Sequence, residues 1–143
     1  MRTDLDTALN NTSPEERARL TGECREHLSF LDQSLPAGEK ILRLLRGTKD
    51  RFPVLTVLTN RRLLIISQSL DVAGYVLTDV ILFAITPYPR SLMDKLFGKH
   101  DDYSMLYVKD DAGYSSIDVW AEDGERFEAH FRRARSLANM SAG

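Results

Sequence analysis

The residues with the greatest potential for catalysis or metal binding are the single cysteine, Cys24, and the three histidines, His27, His100 and His130. A metal site needs several such side chains converging on one point, yet the histidines fall in three separate predicted elements. The chain contains no C-x-x-C or H-x-x-x-H pair, no P-loop, no G-x-S-x-G and no G-x-G-x-x-G motif. We therefore predict a protein that is not an enzyme and that holds no cofactor and no metal, with a packed cysteine and solvent-facing histidines.

Basic side chains are concentrated in two short islands of a chain whose net charge is −2. The first island covers a predicted strand and the loop after it, and its candidate binding residues are Arg43, Arg46, Lys49 and Arg51. Arginine forks and lysine ammonium groups suit phosphate oxygens. The alternative interpretation is a solvated loop with ordinary surface charge, which the acidic Asp50 in the same loop favours.

The second island lies in the connection 87–102 between two predicted strands, and connections of this length often carry function. A short helix there would group apolar and basic side chains, among them Arg90, Lys95, Leu96, Phe97 and Lys99. An apolar tip ringed by cations suits a membrane interface or a partner protein. The alternative is that the segment folds down and closes one mouth of a barrel.

Length and composition indicate one globular domain without a secretory or membrane-spanning segment. The 143 residues are 43% hydrophobic and 28% charged, which is typical of a folded domain. The N-terminal region has no basic and apolar leader, and no apolar run is long enough to cross a bilayer. We therefore expect a cytoplasmic protein, and the acidic balance of the whole chain argues against a nucleic-acid partner.

The N-terminal region is predicted to contain a flexible tail, residues 1–12, and then one amphipathic helix within residues 13–37. Ser13, Pro14 and Glu16 have the types and spacing of a capping box with proline at the first helical position. An apolar stripe follows at helical spacing and is formed by Leu20, Cys24, Leu28 and Leu31. This stripe either packs on its own chain or serves as an interface with another copy or another protein.

Residues 38–140 change to short strand-like segments that are followed by a final helix, and residues 141–143 are assigned to a tail. About seven apolar, β-branched segments are separated by turn residues. The apolar face of the last helix is formed by Phe127, Phe131, Ala134 and Leu137. The pattern predicts a mainly β protein with flanking helices, in which an antiparallel barrel or sandwich of about seven strands is closed by the C-terminal helix.

The stretch VLTVLTNRRLLIIS, residues 54–67, resembles the second and third strands of bacterial pleckstrin-homology-like domains, a group related to PH and GRAM modules. Thr59, Arg62 and Leu63 match the recurrent T-x-x-R-L pattern of that family. The preceding GEKIL, the later LTDVILFAI and the closing helix with its two phenylalanines also resemble family positions. The resemblance extends over residues 38–137 and does not explain the N-terminal helix.

The resemblance implies a binding scaffold for proteins or, in eukaryotic members, for membrane phosphoinositides. Lipid-binding members grip phosphates from the region of the first island, but here the second strand and the loop after the third carry no basic residue. We therefore expect a module for protein–protein recognition or self-assembly, with peripheral binding to an anionic membrane as the alternative. Arg62 is expected to be structural, paired with carbonyls or a carboxylate, and Arg61 is expected to be exposed.

Overall fold

The computed structural model describes residues 2–88 and 103–142 of the chain. The helices and strands of these residues are α1 Thr3–Asn10, α2 Pro14–Glu23, α3 Arg25–Ser34, β1 Ile41–Lys49, β2 Phe52–Thr59, β3 Arg62–Ile66, β4 Val72–Val76, β5 Leu82–Pro87, β6 Tyr103–Lys109, β7 Tyr114–Trp120 and α4 Ala121–Ala142. A short 3-10 helix, Leu77–Asp79, lies between β4 and β5. The described chain is mainly β with flanking helices, and its arrangement is consistent with a pleckstrin-homology-like sandwich.

The strands form one antiparallel sheet in the order β4-β3-β2-β1-β7-β6-β5. β1 joins the two halves of the sheet because it pairs with β2 along its length and with β7 near its end, where Gly47 lies opposite Val119. A Cβ atom at Gly47 would lie 2.7 Å from Cδ1 of Ile117, so glycine permits the close approach of β1 and β7. The predicted antiparallel arrangement of about seven strands is confirmed.

Apolar cores lie on both faces of the sheet, and among the described strands the second of them involves only β1–β3. The first core lies between the sheet and α4 and includes Leu45, Leu63, Leu106 and Phe131. The second core lies between the sheet and α1–α3 and includes Leu20, Leu31, Val57 and Ile66. Residues 54–59 of β2 are all buried because this strand contributes to both cores, which explains why its apolar residues do not alternate with exposed ones.

The prediction of a flexible tail at residues 1–12 is wrong, because α1 occupies most of that segment. Its buried apolar side chains are Leu5, Ala8 and Leu9. Asp4 accepts a hydrogen bond of 2.9 Å from the backbone N–H of Ile41, and Arg2 donates one of 2.8 Å to the carbonyl of Leu35. These partners lie far along the chain, so local sequence pattern could not reveal that they anchor the N-terminus.

The single helix predicted within residues 13–37 is in fact two helices, α2 and α3, which meet at Cys24. The φ and ψ angles of Cys24 are −112° and 26°, and they bend the chain. The backbone hydrogen bonds from Cys24 to Leu20 and from Leu28 to Cys24 are both kept at 2.9 Å. Ser13 caps α2 as predicted, since its Oγ accepts a hydrogen bond of 3.1 Å from the N–H of Glu16. The Glu16 carboxylate accepts the backbone N–H of Arg46, in place of the reciprocal bond of a capping box.

The C-terminal helix α4 buries its two phenylalanines, and the ring of Phe131 stacks on Phe83 with a centroid distance of 3.9 Å. Leu137 was predicted to share this buried face, but 55% of it is exposed. The buried part of α4 ends at Ala134, and the helix then continues to Ala142, through the start of the predicted tail. Within residues 2–88 and 103–142, no helix is both long enough and apolar enough to cross a membrane.

Candidate functional site

The two arginines of β1 both have hydrogen-bond partners within the protein. Arg46 Nη2 lies 3.0 Å from Glu23 Oε1 of α2, and only 12% of the Arg46 side chain is exposed. Arg43 is half-buried and donates from Nη1 to the carbonyl of Leu42 at 2.9 Å. Burial, followed by the positive charge of Arg43, lowers the pKa of His130 on α4. The structure therefore does not show these two arginines forming a phosphate-binding site together with the loop after β1.

The remaining cations of the first island, Lys49 and Arg51, are exposed at the β1–β2 turn, where Arg51 has a φ angle of 73°. The antiparallel order places the β3–β4 and β6–β7 turns at the same end of the sheet. Acidic residues of these three turns are Asp50, Asp71, Asp110 and Asp111. This end of the sheet therefore carries acidic as well as basic side chains and is not uniformly cationic.

The other predicted candidates separate into two groups. Arg90, Lys95, Leu96, Phe97 and Lys99 lie outside the described residues. The helix stripe of Leu20, Cys24, Leu28 and Leu31 is buried in the second core. Of the two alternatives for this stripe, the structure therefore shows packing on its own chain, because α2 and α3 use it to cover their own sheet.

The cysteine and histidine predictions have a mixed outcome. Cys24 is fully buried, as expected, and burial raises the pKa of its thiol to about 12. His27 is buried rather than solvent-facing, and burial lowers its pKa. Within the part of the chain that the structure describes, no three His, Cys, Asp or Glu side chains are grouped closely enough to hold a metal ion.

The T-x-x-R-L turn is organised by a buried carboxylate. Glu39 accepts hydrogen bonds from Arg62 Nη2 at 2.8 Å and Nε at 3.0 Å, and from Thr59 Oγ1 at 2.6 Å. Thr59 Oγ1 also accepts the backbone N–H groups of Arg61 and Arg62. The prediction that Arg62 is structural and paired with a carboxylate is confirmed, and Arg61 is exposed as predicted.

A large groove lies beside this turn, between the end of β4 and the last turns of α4. It has a volume of about 910 Å³ and is lined by Pro36, Glu39, Asn60, Arg61, Arg62, Val76, Thr78, Leu137, Ala138 and Ser141. We call it the α4–β4 groove. Sequence reasoning missed this groove because Leu137 continues the spacing of the buried phenylalanines, and that spacing does not show where the core ends.

The α4–β4 groove combines apolar side chains with two arginines, of which Arg62 is paired with a carboxylate and Arg61 is exposed. Arg62 uses Nε and Nη2 on Glu39, and about a third of its side chain, 34%, remains exposed. Arg61 is exposed, and none of the side-chain hydrogen bonds among the described residues involves its guanidinium. The groove can therefore offer positive charge next to the apolar surface of Val76 and Leu137.

A second cluster of charges joins α2 to α4 around a buried glutamate, Glu16. Glu16 is only 2% exposed, and its Oε1 accepts the backbone N–H of Arg46 at 2.6 Å. Arg19 Nη1 lies 3.4 Å from Glu16 and 3.3 Å from Asp123, which also pairs with Arg126. Burial, followed by the hydrogen bond and the charge of Asp123, raises the pKa of Glu16 to about 8. The cluster fastens the N-terminal helices to the start of α4.

The chain was also compared with known proteins. No family model matches it, and no curated protein is significantly similar to it in sequence.

Proposed function

We propose that this protein is a non-enzymatic interaction module of the pleckstrin-homology-like type, and that it binds a partner protein in the α4–β4 groove. The seven-stranded sheet closed by α4 supplies a rigid frame for such a site. A frame of this kind does not specify a ligand, so the proposal depends on the surface of the groove. The apolar stripe of the N-terminal helices is not a candidate for partner binding, since it is already buried against the sheet.

The observation that carries the proposal is the exposed apolar surface of the groove. Val76 is 44% exposed and Leu137 is 55% exposed, although both are large apolar residues, and Met140 is exposed nearby on α4. Surfaces that combine apolar side chains with arginine are typical of protein–protein interfaces. The groove brings such residues together from two elements that are distant in the chain.

Leu137→Asp should abolish partner binding and leave the fold intact, because the leucine side chain is exposed in the free protein. A phage library of random dodecapeptides would be panned in parallel on the wild type and on the variant. We expect recovery from Leu137→Asp to fall at least about tenfold, as for loss of an interface hot spot.

The matched control is Ile81→Asp, which introduces the same charge at a similarly exposed apolar residue outside the groove. Its recovery should equal that of the wild type. Equal recovery from Leu137→Asp and the wild type, or no enrichment on the wild type at all, would show that the groove is not a binding site.

Peripheral membrane binding is the second candidate function, and one observation favours it. Phe52 is 50% exposed next to Lys49 and Arg51, so the β1–β2 turn presents an apolar tip with two cations. The carboxylates of this turn and of the β3–β4 and β6–β7 turns would be repelled by an anionic membrane surface. We therefore expect Lys49→Glu with Arg51→Glu to leave sedimentation with phosphatidylserine-containing vesicles unchanged.

Vesicles of phosphatidylcholine alone are the control for that measurement. Sedimentation that requires phosphatidylserine, weakens with salt and disappears in the double variant would favour the membrane function instead.

A further inference from the structure

We infer that the partner enters as an extended segment that adds to the free edge of β4 and places a carboxylate between Arg61 and Arg62. This inference rests on the proposed function, and it names the chemical class and conformation of the ligand. Three independent features of β4 support it: the direction of its backbone groups, the exposure of its outer residues and the charge at its end.

The backbone of β4 has unpaired donors and acceptors along one side. Within residues 2–88 and 103–142, β4 lies at the edge of the sheet and pairs only with β3. The N–H of Leu77 bonds to the carbonyl of Arg61, and the N–H of Ser67 bonds to the carbonyl of Asp71, both at 2.9 Å. In an antiparallel pair, every second residue exchanges such backbone hydrogen bonds with the opposite strand. The backbone N–H and C=O groups of residues 73 and 75 therefore also point towards β3. The backbone groups of residues 72, 74 and 76 therefore point away from the sheet.

The same three residues are open to solvent. Val72, Gly74 and Val76 are all exposed, whereas Tyr75 between them is buried in the first core. Gly74 has no side chain, so its exposure is that of the backbone itself. The second core includes residues of β1, β2 and β3 but none of β4, so the N-terminal helices leave this strand uncovered. An added strand could thus form hydrogen bonds and pack side chains on the two valines.

The charge at the end of this edge selects the partner. Arg62 lies opposite Val76 in the register, and its Nη1 lies 3.8 Å from the position that a Cβ atom at Gly74 would occupy. The guanidinium therefore lies over the exposed side of β4 while Nε and Nη2 hold Glu39. Arg61, which lines the same groove, adds a second positive charge. An aspartate or glutamate of the partner would pair with both arginines. A neighbouring apolar residue of the partner would pack on Val76 and Leu137.

The composition of the selected peptides tests whether the arginines at the end of β4 favour an acidic residue in the partner. Dodecapeptides enriched on the wild type should carry an acidic residue next to a β-branched or other apolar residue. Panning on Arg61→Glu should instead enrich basic residues at that position, because the side chain is exposed and its reversal leaves the fold unchanged. Arg17→Glu, a reversal on the exposed side of α2, is the control and should retain the acidic preference.

A proline substitution tests the strand addition. Val76 has φ −65° and ψ 128°, which suits proline, and its N–H points away from β3. Val76→Pro should therefore keep the melting temperature but weaken a selected peptide about tenfold, while Val76→Thr, which keeps the N–H and the branched shape, should bind within about twofold of wild type. On binding, the amide protons of Val72, Gly74 and Val76 should gain protection from hydrogen exchange, since they become paired.

The possible results separate the inference from the proposed function. No peptide enrichment on the wild type overturns both. Enrichment that depends on Leu137 but ignores Arg61→Glu and Val76→Pro overturns only the strand-addition inference. A doubled mass in light scattering, with the β4 amides protected in the absence of peptide, would show that a second copy occupies the edge and would also overturn it.

Discussion

Arg62→Ala is expected to lower the free energy of unfolding by about 3 kcal/mol, because it leaves the buried Glu39 carboxylate without its main partner. Glu39 is 2% exposed, and Arg62 donates two of the three hydrogen bonds that its carboxylate accepts from the described residues. The loss is smaller than for a fully buried ion pair because the Arg62 side chain is partly open to water. Urea denaturation followed by circular dichroism would measure the change.

Arg61→Ala provides the matched control, since it removes the same charge from the neighbouring exposed position. It should change the free energy of unfolding by less than about 0.5 kcal/mol. If both variants were equally stable, the carboxylate of Glu39 would not depend on Arg62. The double variant Arg62→Ala with Glu39→Gln should recover part of the loss, because the uncompensated charge is then absent.

The ion pair between Glu39 and Arg62 should also make the stability of the protein depend on pH in the acidic range. Burial raises the pKa of Glu39, but the hydrogen bonds from Arg62 and Thr59 and the charge of Arg62 outweigh burial and lower it below the ordinary value of 4.5. A lowered pKa means that the unfolded state binds the proton first. The stabilisation is therefore fully present above pH 4.5 and is lost as the pH falls through the folded-state pKa.

Glu16→Gln is expected to raise the free energy of unfolding at pH 8.5 by about 3 kcal/mol. The glutamine carbonyl can still accept the N–H of Arg46, which Glu16 accepts at 2.6 Å. The substitution removes a carboxylate that burial and Asp123 make difficult to ionise, despite the nearby guanidinium group of Arg19. Thermal and urea unfolding between pH 5 and pH 9 would measure the difference.

The pH dependence of that effect follows from the sign of the shift. The pKa of Glu16 is about 8 in the folded protein against an ordinary value of 4.5, so between these values the folded state binds more protons than the unfolded state. The stability of the wild type should therefore fall from pH 4.5 to pH 8 and then level off. Glu16→Gln should flatten this decline, whereas Glu15→Gln at the exposed neighbouring position should retain it. A decline that persists in Glu16→Gln would assign it to another group.

The strands and turns were largely predictable, because their signals are local. Asn60 and Arg61 between two apolar runs mark the β2–β3 turn, and turn residues between two alternating segments mark the β6–β7 hairpin. The seven strands follow from such short patterns. Arg62 could also be assigned a structural role, because it stands at the arginine position of the T-x-x-R-L pattern that this turn resembles.

The path of the N-terminal region was less predictable, because tertiary contacts decide it. The helix α1 is short, and helices of this length gain most of their stability from packing. Arg2 and Asp4 hold it through partners in the α3–β1 region, and no local periodicity encodes those contacts. The bend at Cys24 likewise keeps α2 and α3 on the sheet without interrupting the apolar stripe, so the stripe alone predicts one helix.

The sequence by itself determined the mainly β character, the antiparallel hairpins and the apolar faces of the helices, because side-chain periodicity and turn chemistry act between near neighbours. The tertiary structure decided which apolar faces are covered. It buried the stripe of α2 and α3 that looked available for a partner, and it left Val76 and Leu137 exposed at the α4–β4 groove. The physical reason is that burial depends on where elements distant in the chain meet and where each one extends beyond the core.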